Sequence, residues 1–302
     1  MVGHTAAMQK DIWAWAPGGG TVRIPPGDGA YMQACIHPEG AQVVFWGGPP
    51  EARPRLWLSP TDGSDPVALT APDVGARHGS FGLTGDRIAF TSDAASGAPG
   101  GSMADETPAG NPTSGHWNLF TMAVDGSDVR QVTEGPWVDQ RPALSPDGTT
   151  IAFVSDRGLG LWLVPADGSR DPEPLDEGLF LYRPAWAPDG ASLYAFHITE
   201  ARRRVGVVDL GTRTFTPLAN DDRGNTHGPW PDPRGDRLTV HSDREGSWRL
   251  WELPLDGSPM QRLDPPGHED AVCAHGTRAR DGRLTFDGVA MTELTGRGGA
   301  SS

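Results

Sequence analysis

A turn of the Pro-Asp-Gly type occurs six times along this chain, and each copy leads into a short β-branched or aromatic run. The copies are His37-Pro38-Glu39-Gly40, Leu83-Thr84-Gly85-Asp86, Ser145-Pro146-Asp147-Gly148, Ala187-Pro188-Asp189-Gly190, Asp232-Pro233-Arg234-Gly235 and Arg280-Asp281-Gly282. Runs such as Gln42-Val43-Val44-Phe45, Thr150-Ile151-Ala152-Phe153 and Arg283-Leu284-Thr285-Phe286 follow them. A tight turn feeding such a run is a hairpin. Successive turn glycines lie 45, 63, 42, 45 and 47 residues apart, the period of a four-stranded propeller blade.

A third run, often bearing tryptophan, and a fourth complete each period, as in Leu161-Trp162-Leu163 followed by Glu173-Pro174-Leu175. The last period, beginning near His268, holds only its first two strands. Asp11-Ile12-Trp13-Ala14-Trp15 and Thr21-Val22-Arg23-Ile24 at the other end read as its third and fourth. The expectation is an all-β, six-bladed propeller of four-stranded antiparallel blades over residues 1–302. One blade is closed by pairing the two chain ends, which removes free sheet edges. The long second spacing comes from an insertion, residues 94–115, rich in Gly, Pro, Ser and Ala, that reads as a flexible loop and a possible lid.

Composition agrees: 41 glycines and 29 prolines in 302 residues imply many turns and little helix. The net charge of −14 and the lack of a long basic cluster argue against a nucleic-acid partner. No segment reaches the roughly 20 apolar residues of a membrane span, and residues 1–10 hold no signal-length apolar core, so a soluble, cytoplasmic monomer is expected. Cys35 and Cys273, in the inner strands of the first and last blades, are expected to be reduced and buried.

The stretch from Arg141 through Ser145-Pro146-Asp147-Gly148 to Ser155-Asp156-Arg157 resembles the repeat of the TolB-type propellers, and it recurs at Arg183-Pro184-Ala185-Trp186-Ala187-Pro188-Asp189-Gly190. That resemblance covers essentially the whole chain and implies the fold. The same repeat serves scaffolds, peptidase propellers and lyases. No Gly-x-Ser-x-Gly hydrolase elbow follows the blades, which disfavours a peptidase. The segments from Thr226 to Gly235 and His241-Ser242-Asp243-Arg244 are more distantly similar to the oligogalacturonate lyases. That similarity implies a histidine-bound divalent metal on the axis.

The Pro-Asp-Gly turns share one end of the ring, so residues entering the first strands and leaving the second strands gather at the other, where propellers bind ligands. Alignment on the turn glycines places Gln33, His78, Arg141, Arg183, Gly228 and His275 at one ring position, with Met32, Arg77, Gln140, Tyr182, His227 and Ala274 just before it. The two rows predict a wet, hydrogen-bonding funnel for a small polar or anionic ligand, or a peptide. Gln33, Arg77, His78, Trp137, Gln140, Arg141, Arg183 and His197 are the candidate ligand contacts. Arg141 and Arg183 form a fork for a carboxylate, or else pair with Asp139 or Asp156.

An enzyme using the same funnel, a metal-assisted lyase or isomerase, would take His227, His275 and Tyr182 as catalytic groups. Its metal, one divalent ion such as zinc, manganese or calcium, would be held by His227, His268, His275 and Glu269. The repeated Ser92-Asp93, Ser155-Asp156 and Ser242-Asp243 pairs read as structural locks. A third reading is a protein-interaction scaffold using the rim.

Overall fold

The structure, a computed structural model, describes residues 11–25, 27, 29–95, 115–158, 160–175, 178–218, 223–269 and 271–289. Six four-stranded antiparallel sheets are arranged as blades. The first blade contains Ala30–Ile36, Gln42–Gly48, Arg55–Pro60 and Val67–Ala68, and each of the next four repeats that order from the axis outward. In the sixth blade Val272–Arg278 and Leu284–Val289 come from the end of the chain, while Asp11–Trp15 and Thr21–Arg23 come from its start. Trp13 faces Phe286 and Trp15 faces Leu284 across that seam, so closure uses matched apolar pairs as well as backbone hydrogen bonds. Most of the inserted loop lies outside the described residues, as do residues 1–10. Among the described residues no helix is long and apolar enough to cross a membrane.

Each of the six turns is closed by a backbone hydrogen bond from its glycine to the residue three before it, Gly148 N to Ser145 O at 2.9 Å being representative. The apolar runs bury against neighbouring blades. Trp46, Phe45, Phe153 and Phe286 are fully covered, each burial contributing about 1.5–3 kcal/mol. The Ser-Asp pairs lock loops as expected. Asp93 accepts from Gly75 N and is ion-paired with Arg53 of the preceding blade, and Asp243 accepts from Asn225 N and Nδ2. Cys35 and Cys273 are unpaired and buried, and burial pushes both thiols up to about 12.

Candidate ligand-binding site

Every inner strand carries a β-bulge at the same place. Between Met32 and Cys35, Arg77 and Ser80, Gln140 and Ala143, Tyr182 and Ala185, His227 and Trp230, and Ala274 and Thr277, three steps on the inner strand face two on its partner. The residue after the first of each pair is left-handed: φ is 52° at Gln33, 53° at His78, 56° at Arg141, 54° at Arg183, 65° at Gly228 and 53° at His275. This conformation costs a residue other than glycine about 1–2 kcal/mol, and five of the six positions carry one. Such strain persists where the surrounding sheet over-determines it, and it clusters at functional sites.

All six of these residues line one axial cavity of about 90 Å³. The row before them does not. Side chains alternate along a strand, so the neighbours of the ring residues turn away from the bore. Arg77 is buried with its guanidinium 3.9 Å from the Trp117 ring centre and 5.7 Å from that of Trp46. Tyr182 meets Phe196 edge-on and lies under Arg141. His227 packs on His241 and Trp248 at 4.2 and 4.4 Å between centroids. Gln140 is half-buried outside the cavity. His197 packs on Phe215, on the fourth strand of its blade, and Trp137 is exposed at the rim with the Arg157 guanidinium 5.4 Å from its ring centre. The single funnel expected from two polar rows is therefore one polar row, with the row before it turned away from the bore.

The four residues expected to share a metal are not brought together. His268 is buried against Trp13 and Phe286, with ring centroids 4.5 and 5.2 Å away, and Glu269 accepts from Gly267 N. Both belong to the loop before the last inner strand, and neither lines the cavity. His227 and His275 instead flank His241, whose ring is 4.2 Å from the first and 5.1 Å from the second. Among the described residues no group of three histidine, cysteine or acidic side chains is placed to hold a metal ion.

The cavity is cationic on one side. Burial, then the neighbouring charge of Arg141, holds the Arg183 guanidinium well below the usual arginine range. Asp139 is occupied by Arg157 and Thr133, and Asp156 accepts from Val138 N. Facing the arginines across the ring, His275 Nδ1 lies 2.6 Å from Asp287, a carboxylate on the second strand of its own blade that is 1% exposed. Asp287 also accepts from Gln33 N at 3.0 and 3.1 Å, joining the sixth blade to the first. Reading single strands missed Asp287. The available signal was its place beside the ring, where the equivalent second-strand residues are Trp46, Thr91, Val154, Phe196 and His241. Gly228 was placed correctly but without its reason: a Cβ there would sit 2.5 Å from His241, so this position is left to glycine to seat that ring.

Fold and site together define a six-bladed β-propeller with a cationic axial basin. No family model matches the chain. By sequence it is 27% identical over 130 residues to an uncharacterized protein of Agrobacterium fabrum, covering 42% of this chain and 44% of that protein. It is 31% identical over 151 residues to the Tol-Pal system protein TolB of Anaeromyxobacter dehalogenans, covering 47% of this chain and 34% of that protein. The matches thus span less than half the length of these relatives. Among solved structures, a protein described as a putative TolB from Agrobacterium tumefaciens superposes with a TM-score of 0.69 at 14% identity, covering 93% of this chain and 98% of that one. An oligogalacturonate lyase from Vibrio parahaemolyticus gives 0.56 at 13%, covering 89% and 80%. The chain is a six-bladed β-propeller similar in sequence to part of TolB, and its likeness to the solved TolB and lyase propellers is one of fold.

Proposed function

We propose that this TolB-like propeller binds a small anionic ligand, a carboxylate foremost, in the axial basin. The observation that carries the reading is the pairing of Arg141 and Arg183 on adjacent blades, lining one cavity, with their like charges opposing each other. An anion between them relieves that repulsion and gains charge-assisted hydrogen bonds. Gln33, His78 and His275 complete the ring with groups able to orient polar substituents. The test is calorimetric titration of the protein with acetate, malonate and inorganic phosphate, repeated on Arg183→Met. Saturable binding weakened at least tenfold by the substitution supports the reading, and equal affinity in both proteins overturns it.

A second reading is favoured by the His275–Asp287 pair. A buried carboxylate beside Nδ1 favours the tautomer that carries its proton there, which makes Nε2 the basic nitrogen of a ring that lines the basin. In an isomerase or lyase working here, Arg141 and Arg183 would hold the substrate carboxylate and His275 would take the proton beside it. Exchange of ligand α-protons in D₂O, followed by NMR and lost in His275→Gln, is the corresponding test.

A further inference from the structure

Two cavities lie end to end on the propeller axis, and Trp230 stands between them. The basin just described is followed, at the turn end, by a second cavity of about 60 Å³ whose wall includes Ile36, Phe81, Leu144, Trp186, Pro231 and Arg278. Consecutive residues of the same inner strands line the two in turn. Arg141 and Pro142 face the first where Ala143 and Leu144 face the second, and Arg183 and Pro184 give way to Ala185 and Trp186. Among the described residues only Ser80 and Trp230 line both.

At the level of the junction, five of the six inner strands present a small or medium side chain: Cys35, Ser80, Ala143, Ala185 and Thr277. The fifth blade presents Trp230. The indole packs against the apolar cluster of the first and second blades, which contains Cys35 and Phe81, so it spans from its own blade to the far side of the ring. Beyond it the second cavity is apolar except for Ser80 at the junction and Arg278, which is already ion-paired with Glu252 at 2.6 Å. From Arg183 to Trp186 the two chambers together run roughly 10 Å along the strand.

We propose that Trp230 is a partition that sets the length of ligand admitted from the cationic mouth. The basin then takes a compact anion whose apolar part rests on the indole, and the turn-end chamber stays closed to it. The proposal rests on the anion-binding reading above. Without the indole the chambers join into one bore, cationic at one end and aromatic at the other, a shape that suits a straight-chain carboxylate.

The test uses straight-chain carboxylates from acetate to decanoate and the uncharged alcohols of the same lengths, titrated into the wild-type protein, Trp230→Ala and Trp230→Phe, with folding checked by thermal unfolding. Wild-type affinity is expected to stop rising at short chains, whereas Trp230→Ala gains about fourfold per added methylene. Trp230→Phe should lie between them and serves as the measurement if the alanine variant does not fold. An identical dependence on chain length in wild type and variant overturns the partition. If length dependence appears in the variant but carboxylates bind no better than their alcohols, the partition stands and the anion reading fails.

Discussion

His275 and Asp287 sit on neighbouring strands of the blade that joins the two ends of the chain, with Nδ1 of one 2.6 Å from a carboxylate oxygen of the other. Because Asp287 also receives the Gln33 amide of the first blade, a single buried carboxylate both orients a ring residue of the basin and fastens the ring closure. Replacing it by alanine leaves that amide without its acceptor in a buried place, at a cost of about 1–3 kcal/mol for each abandoned group. Asp287→Ala is expected to lose about 2–4 kcal/mol in chemical denaturation. A loss under 0.5 kcal/mol would show that the closure does not depend on it.

Arg183 should behave in the opposite way. Its charge is disfavoured in the folded protein by burial and by Arg141, so Arg183→Met is expected to match or exceed the wild-type unfolding midpoint in anion-free buffer. In saturating carboxylate the order should reverse, because only the wild type gains ligand stabilisation, about 2.7 kcal/mol at a hundred times the dissociation constant. Thermal scans with and without malonate distinguish the two conditions.

His227 gives the pH dependence a sign. Burial, then the charges of Arg183, Arg203 and Arg141, lower its pKa from 6.5 to about 3. Between those values the unfolded chain holds a proton that the folded chain lacks, so this group's contribution to stability falls as pH drops from 6.5 towards 3. Removing the group in His227→Gln should flatten the slope of unfolding free energy against pH in that window by at most about 1.4 kcal/mol per pH unit. Unchanged slopes would mean that His227 titrates normally.

Gly228 tests the bulge. An alanine there must hold a φ near 65° and bring a methyl group against His241. The expected cost of Gly228→Ala is about 2–4 kcal/mol, of which the part due to the contact should return in the double variant with His241→Ala. Strict additivity in that cycle would remove the contact as the cause and leave backbone strain alone.

Much of this was open to reading from the linear chain because the repeat is local. Turn chemistry, the apolar runs and the spacing of the glycines each operate within about 45 residues, and together they specified six blades, the sharing of one blade between the chain ends, and the ring position of Gln33, His78, Arg141, Arg183, Gly228 and His275. The direction of the neighbouring row was not readable in the same way. A bulge inverts the alternation of a strand at one residue, and nothing in Arg77 or His227 as residue types says that they face tryptophans rather than the bore.

The grouping of histidines failed for a related reason. His268, Glu269 and His275 are near in sequence, yet a loop turn and one strand length carry His268 to Trp13 and Phe286, leave Glu269 exposed on the loop and bring His275 to the axis. Cross-blade relations, such as Asp287 with Gln33 and Trp230 with the apolar cluster of the first two blades, arise only when the ring closes. The sequence by itself determined the blade, its repetition and the residues offered to the axis, because these follow from short-range backbone preference and hydrophobic periodicity. Tertiary structure alone decided which of those side chains meet, because that depends on bulge geometry and on contacts between blades far apart in the chain.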